Sequence, residues 1–179
     1  MSKNRIYKEV GNIIEKSHAF FVFSRRTSVI SSLISNLLPS NSNILDIGCG
    51  DGTIDRKILS LRPDIKITGL DVLERKKSLI PVIVFDGKTI PFANNSYDTV
   101  LLIDTLHHAS SPESLLREAV RVSQKYIIIK DHYLGGRMSL YILRFMDWIG
   151  NEAHDVNLPY NYYSYQKWEK IFEELGLSK

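Results

Sequence analysis

Residues 44–52 read Ile-Leu-Asp-Ile-Gly-Cys-Gly-Asp-Gly. A short apolar run ends in a carboxylate, Asp46, and three glycines follow at alternate positions, Gly48, Gly50 and Gly52. Such a run predicts a strand that stops at a turn where the backbone must bend sharply and leave room beside itself. A second apolar run, Ile65 to Leu70, ends in Asp71, nineteen residues past Gly52. An acid about 20 residues beyond a glycine turn, at the tip of the next strand, suits the two hydroxyls of a ribose. The chemistry implied is binding of a cofactor that contains a nucleoside.

The glycine spacing narrows the choice of cofactor. The dinucleotide fingerprint is Gly-x-Gly-x-x-Gly, with a pyrophosphate at the helix N-terminus. This chain has Gly48-x-Gly50-x-Gly52, with Thr53 in place of the third fingerprint glycine. The loop carries two acids, Asp46 and Asp51, and no lysine or arginine. Carboxylates repel a phosphate and attract an amino group or a sulfonium. S-adenosyl-L-methionine offers both cations, a ribose and no phosphate. The segment Leu45-Asp46-Ile47-Gly48-Cys49-Gly50-Asp51-Gly52 resembles the first motif of the class I S-adenosylmethionine-dependent methyltransferases. A glycine-rich turn without a ligand is the plainer alternative.

Composition sets outer limits. With 179 residues, 44% hydrophobic and 24% charged, the chain suits one globular domain with a real core. A formal charge of +3 argues for neither nucleic acid nor membrane as a partner. The single cysteine, Cys49, excludes an internal disulfide and reads as a small apolar filler of the glycine loop. No apolar stretch has the length of a membrane span, and the N-terminus has no secretory pattern. The expected location is the cytoplasm. No His/Cys cluster has metal-ligand spacing.

Periodicity predicts an α/β domain, a Rossmann-like doubly wound and mostly parallel sheet. Strands are expected at Asn43–Ile47, Ile65–Leu70, Val82–Phe85, Thr99–Ile103 and Tyr126–Ile129. Continuous apolar strands alternating with helices imply helices on both faces. A helix is expected from about Thr53 to Leu61, one from Ser111-Pro112, and a last one over Tyr165–Leu175 after Ser164. Residues 1–40 read as an N-terminal helical cap, 41–134 as the cofactor-binding core, and 135–179 as a substrate or lid segment with the last helix, all in one domain over 1–179. The patch Phe20-Phe21-Val22-Phe23 is core packing or a lid. In such a sheet, ligands bind beyond the carboxyl ends of the strands. The acids Asp46, Asp71, Asp86, Asp104 and Asp131 all lie there.

The resemblance covers about Asn43 to Lys130 and implies residue roles. Asp46, Gly48 and Gly50 correspond to the surroundings of the methionine end of the cofactor. Asp71 corresponds to the ribose acid, and Val72 lies by the adenine. Asp86-Gly87 corresponds to the acid that accepts from the adenine amino group; Asp-Gly is also an ordinary turn. Asp104 sits where the family flanks the transferable methyl. The resemblance also implies a seven-stranded sheet whose last two strands form a hairpin after the final helix. The sequence stops where that hairpin would begin. It is either a piece of a longer chain or a sheet of five or six strands with strand five exposed, and an exposed edge invites pairing.

Candidate proton-transfer groups are His108, His132 and Asp131, since imidazole titrates near neutral pH. A packing role for the His107-His108 pair is the stronger reading. The expected reaction is methyl transfer to a small-molecule acceptor by in-line displacement, with no nucleic-acid partner and no stable membrane insertion. An acceptor pocket is expected from Phe20–Phe23 and Met138–Trp148, with His108, His132, Asn151 and Tyr160 as polar groups. Residues 138–149 could equally be a core or dimer helix, and the sheet edge is the other candidate homodimer surface. Two alternatives stand beside methyl transfer. One is a non-catalytic cofactor-binding or interaction module. The other, less favoured, is a nicotinamide-dependent oxidoreductase, disfavoured by Thr53 and the acidic loop.

Overall fold

The computed structural model describes residues 24–136, 138–144, 159 and 161–178. Phe20–Phe23, residues 145–150, Asn151 and Tyr160 lie outside them. Five strands, β1 (Asn43–Ile47), β2 (Lys66–Asp71), β3 (Val82–Val84), β4 (Tyr97–Ile103) and β5 (Ser123–Lys130), form one sheet in the order β3-β2-β1-β4-β5. Every neighbouring pair is parallel. The helices are α1 (24–37), α2 (Thr53–Leu61), α3 (Pro112–Val122), α4 (138–144) and α5 (Tyr165–Glu174), with a 3-10 turn at Leu106–His108.

Strand alternation sends side chains to two cores. Leu45 and Ile47 of β1 and Val100 and Leu102 of β4 pack with Leu115, Leu116, Ala119 and Val122 of α3 and Trp168 and Ile171 of α5. Ile44 of β1, Leu101 and Ile103 of β4 and Ile67 of β2 pack on the other face with Ile58 of α2 and Ile30 and Ile34 of α1. Asp46 shares the parity of Ile44, so its carboxyl is aimed at the face that α2 covers. Arg62, at the end of α2, fastens α1 to that helix. Its guanidinium donates to the Ser35 carbonyl at 2.7 Å, the Leu38 carbonyl at 2.8 Å and the Pro39 carbonyl at 3.0 Å, satisfying the last turn of α1.

The expectation of apolar strands covered on both faces needs correcting at the margins. β3 is an edge strand, and Ile83 and Val84 stand 40% and 51% exposed. β5 is the other edge; Tyr126 is 55% exposed and the strand has only β4 beside it. Central strands β1 and β4 fit the expectation. Ser111 precedes α3 with Pro112 at its start, but its hydroxyl donates to the Ser114 Oγ at 2.8 Å and caps no backbone N–H. Ser164 does cap α5, accepting from the Lys167 N–H at 3.2 Å.

Candidate cofactor site

The glycine loop is tied down along its length. The Gly48 N–H donates to the Leu70 carbonyl at 2.7 Å, which draws the chain leaving β1 across the end of β2. Gly48 (φ +76°), Gly50 (φ +61°) and Gly52 (φ +76°) all occupy the left-handed region. Their surroundings differ. A Cβ on Gly48 would stand 2.4 Å from the Thr105 Oγ1, and one on Gly52 would stand 2.5 Å from Ile80 Cγ1. A Cβ on Gly50 meets nothing within 4 Å. Gly48 and Gly52 are therefore required by packing, whereas Gly50 borders open space. Thr105 completes the Gly48 contact, its hydroxyl shared between the Ile47 carbonyl at 2.9 Å and the Ile103 carbonyl at 3.1 Å.

Asp71, 6% exposed, turns its carboxylate to the loop. One oxygen accepts from the Gly50 N–H and the other from the Leu73 N–H, both at 2.8 Å. A carboxylate oxygen can accept twice, so capacity for a diol remains. Asp71 thus joins the tip of β2 to the loop after β1, a structural duty that the ribose expectation did not include. Val72 is exposed beside it, and Gly87 (φ +74°) lies against Val72, where an added Cβ would be 3.0 Å from Val72 Cγ1. Asp86 uses one oxygen to accept from the Lys88 and Thr89 N–H groups, both at 2.8 Å. These bonds hold its carboxyl below the ordinary range. Turn formation, the plainer reading of Asp86-Gly87, accounts for what the structure shows there.

Beneath the loop lies a group that periodicity alone did not single out. Asp46 is 2% exposed and Asp55, in the first turn of α2, is fully buried. Asp46 Oδ1 and both Asp55 oxygens accept no hydrogen bond from a donor group among the described residues. Burial, then the charge and hydrogen bond of Asp55, then Asp71, push the Asp46 carboxyl well above the usual range. Two neighbouring buried carboxyls resist ionising together. Cys49 is partly buried in the same acidic surroundings. Burial first, then Asp46, Asp55 and Asp71, raise its thiol far above its usual value, which suits the filler role and opposes a nucleophilic one.

The far side of the crevice is ionic. Asp104 adopts φ +53° at the end of β4. Its carboxylate pairs with Arg26 of α1 and with Lys130 at the end of β5. His132 Nε2 lies 3.4 Å from Asp104 Oδ1. The expectation that Asp104 serves the cofactor meets a carboxylate already engaged by two cations. Asp131 needs a clearer correction. Its carboxylate accepts from the Leu106 N–H at 2.8 Å, the His107 N–H at 3.3 Å and the His132 N–H at 2.6 Å, and also pairs with His107 Nδ1. An acid so fully committed fixes the 3-10 turn to the end of β5 and has no capacity left for a base.

His107, 2% exposed, is the inward member of the histidine pair. It stacks on Tyr162 at a centroid distance of 5.7 Å and meets the His132 ring at 5.1 Å. His108 is half-buried, its ring 4.0 Å from that of His107. His132 is more accessible. Burial, then Lys130, lower its proton affinity against the pull of Asp104, so it is neutral at neutral pH. It also borders a cavity of about 760 Å³ that runs along β5 between Ile127, Ile129 and Tyr133 and the α5 residues Trp168 and Phe172. Met138, Tyr141 and Ile142 of α4 are 76%, 69% and 57% exposed. The described part of the expected lid is therefore unburied. Among the described residues no acid, histidine and cysteine cluster could hold a metal, and no helix is long and apolar enough to cross a membrane.

Residues 45–126 match the family described as a methyltransferase domain. Over 129 residues the chain is 26% identical to 27-O-demethylrifamycin SV methyltransferase of Amycolatopsis mediterranei, covering 64% of this chain and 44% of that one. Over 82 residues it is 34% identical to the tRNA (carboxymethyluridine(34)-5-O)-methyltransferase of Saccharomyces cerevisiae, covering 42% of this chain and 28% of that one. The chain thus spans less than half the length of these curated relatives. A solved structure of a methyltransferase dependent on S-adenosylmethionine, from Thermotoga maritima, superposes with a TM-score of 0.65 at 19% identity. That match covers 94% of this chain and 79% of the other. The likeness shows a shared fold.

Proposed function

We propose that this chain, whose residues 45–126 match a methyltransferase-domain family and whose fold is shared with a solved S-adenosylmethionine-dependent methyltransferase, transfers a methyl group from S-adenosylmethionine to a small-molecule acceptor. The observation that carries this reading is the acid-walled glycine loop. From residue 46 to residue 55 the chain has three acids and no lysine or arginine. At its centre Gly50 borders open space. Such a wall attracts an ammonium and a sulfonium and repels a phosphate, which also disfavours nicotinamide dinucleotides. The orphaned Asp46 oxygen fits a cationic end, and Asp71 fits the ribose hydroxyls. In this reading Val72, Asp86 and Gly87 border the adenine.

Bound there, S-adenosylmethionine supplies a methyl group already activated for in-line displacement. The protein's part is to align the acceptor and exclude water. Where the acceptor must lose a proton, His132 is the residue placed to take it, because it is neutral and borders the cavity beside β5. The aromatic lining of that cavity, Tyr126, Tyr133, Trp168 and Phe172, favours a largely apolar acceptor. An RNA acceptor is the second reading, favoured by the likeness to the yeast tRNA enzyme. Transfer of labelled methyl from the cofactor to a small-molecule panel and to bulk tRNA decides between them. No calorimetric binding of S-adenosylmethionine would sink both.

A further inference from the structure

The acid pair under the glycine loop asks for an explanation that a cofactor contact alone does not give. Buried carboxyls are ordinarily paired with a base or given hydrogen-bond donors. Asp46 and Asp55 have no base beside them: no ion pair among the described residues includes them, and three of their four oxygens are buried there with no hydrogen-bond donor. The groups facing them are Asp71 from β2 and Asp51 and Cys49 from the loop, none of them basic. Between α1 and α2, Ser31 Oγ donates to the Ile54 carbonyl at 3.2 Å, and the Lys57 ammonium donates to Ser28 Oγ. Across the sheet, Asp46 is in register with Gly69 and Leu101. Two ionised carboxylates cannot stand together in such a place.

We propose that Asp55 is a positioning residue for Asp46: the two carboxyls share one proton in the free protein, and that proton leaves when the ammonium group of the amino-acid end of S-adenosylmethionine takes its place against Asp46. The inference rests on the cofactor reading above. In the step, one carboxyl O–H bond breaks, its electron pair stays on oxygen, and the proton passes to the buffer. The arriving cation compensates the second negative charge. The pair is thus a charge-selective floor, closed by a proton until a cation arrives. The raised proton affinities of both carboxyls, burial being the first cause for each, agree with this. Because binding releases a proton, affinity rises with pH while the free pair remains protonated, by as much as tenfold per unit for one whole proton.

Titration calorimetry of S-adenosylmethionine into the protein at pH 7, in phosphate and in Tris, counts the protons released. Up to one proton is expected from wild type. Asp55→Asn can donate its amide N–H to an ionised Asp46 and so replace the shared proton. It is expected to bind within a few-fold of wild type, with no buffer dependence and a flat pH profile. A purely structural Asp55 would leave proton count and pH profile unmoved. Binding by wild type without proton release, or equal release by Asp55→Asn, overturns the inference and leaves the cofactor reading standing. Absence of any binding heat overturns the cofactor reading and the release step with it. The shared proton has its own test in the free protein: an infrared protonated-carboxyl band at pH 7, lost in both Asp46→Asn and Asp55→Asn. If the band is absent from wild type, the shared proton is refuted.

Discussion

Gly48 and Gly50 have similar backbone angles and separable duties. An alanine at either must adopt a positive φ, at a cost of roughly 1–2 kcal/mol. Only at Gly48 does the new Cβ also strike a neighbour, Thr105. Gly48→Ala should therefore melt well below Gly50→Ala, while Gly50→Ala keeps its fold and loses cofactor affinity. Thermal melts with and without S-adenosylmethionine check this, and an equal upshift in Gly50→Ala and wild type would refute it. Asp71→Ala should weaken cofactor binding by about 1.5–3 kcal/mol, the range for hydrogen bonds to a charged group. It should also lower the melting temperature, because Gly50 and Leu73 lose their acceptor. Asp46, Gly50 and Asp71 were legible in the sequence because strand ends and glycines mark them. Asp55 was not. An acid in a helix's first turn reads as a partner of the helix dipole, and only the shared parity of Asp46 and Ile44 would have aimed Asp46 at α2. Which member of the His107-His108 pair turns inward was not legible either, since adjacent residues in a 3-10 turn carry no periodicity that says which is buried.

At the scale of elements, the central strands and α2 were readable because apolar runs and a glycine loop bound them sharply. The edges were not, because an apolar run does not say how many neighbours a strand has. The crevice is joined from both sides by ionic ties that no local pattern announces. Arg26 of α1 and Lys130 of β5 meet on Asp104, 78 and 26 residues away in sequence. His132, at the end of β5, should set the acid limb of any rate profile. Since its proton affinity is lowered, the limb should fall below the ordinary imidazole value of about 6.5. His132→Gln should abolish that limb, and a profile unchanged in the variant would remove His132 from catalysis. Asp131 serves a different end. Burial works to raise its carboxyl, but the hydrogen bond and charge of His107, with the His132 and His107 N–H groups, leave it lowered. Asp131→Asn should loosen the turn against β5 and cost stability at neutral pH, measured by denaturant unfolding.

At the scale of the whole molecule, acids whose proton affinity is shifted in opposite directions have opposite pH behaviour. Asp131 and Glu118 are held below their ordinary values, so the stability they contribute is present above the unfolded value and lost as pH falls through the folded one. Asp46 is held above its ordinary value, so its contribution is present while protonated and lost as pH rises through the folded value. Asp46→Asn should accordingly raise the melting temperature of the free protein at pH 8, with the gain vanishing toward pH 4. No gain at pH 8 would show that Asp46 is not destabilised by its site. The order of the strands has a kinetic meaning as well. Central β1 pairs Ile44 with Ile67 on one side and with Thr99 on the other, loops of 23 and 55 residues. Closing the longer loop costs more chain entropy, by about 0.6 kcal/mol for each doubling, so β1, α2 and β2 should assemble first and β4 and β5 should dock later. Truncations in β2 should then slow refolding, and truncations in β5 should mainly hasten unfolding. Assembly in that order would bring the glycine loop and Asp71 together early, so the nucleus of folding and the floor of the cofactor site would be the same piece of chain.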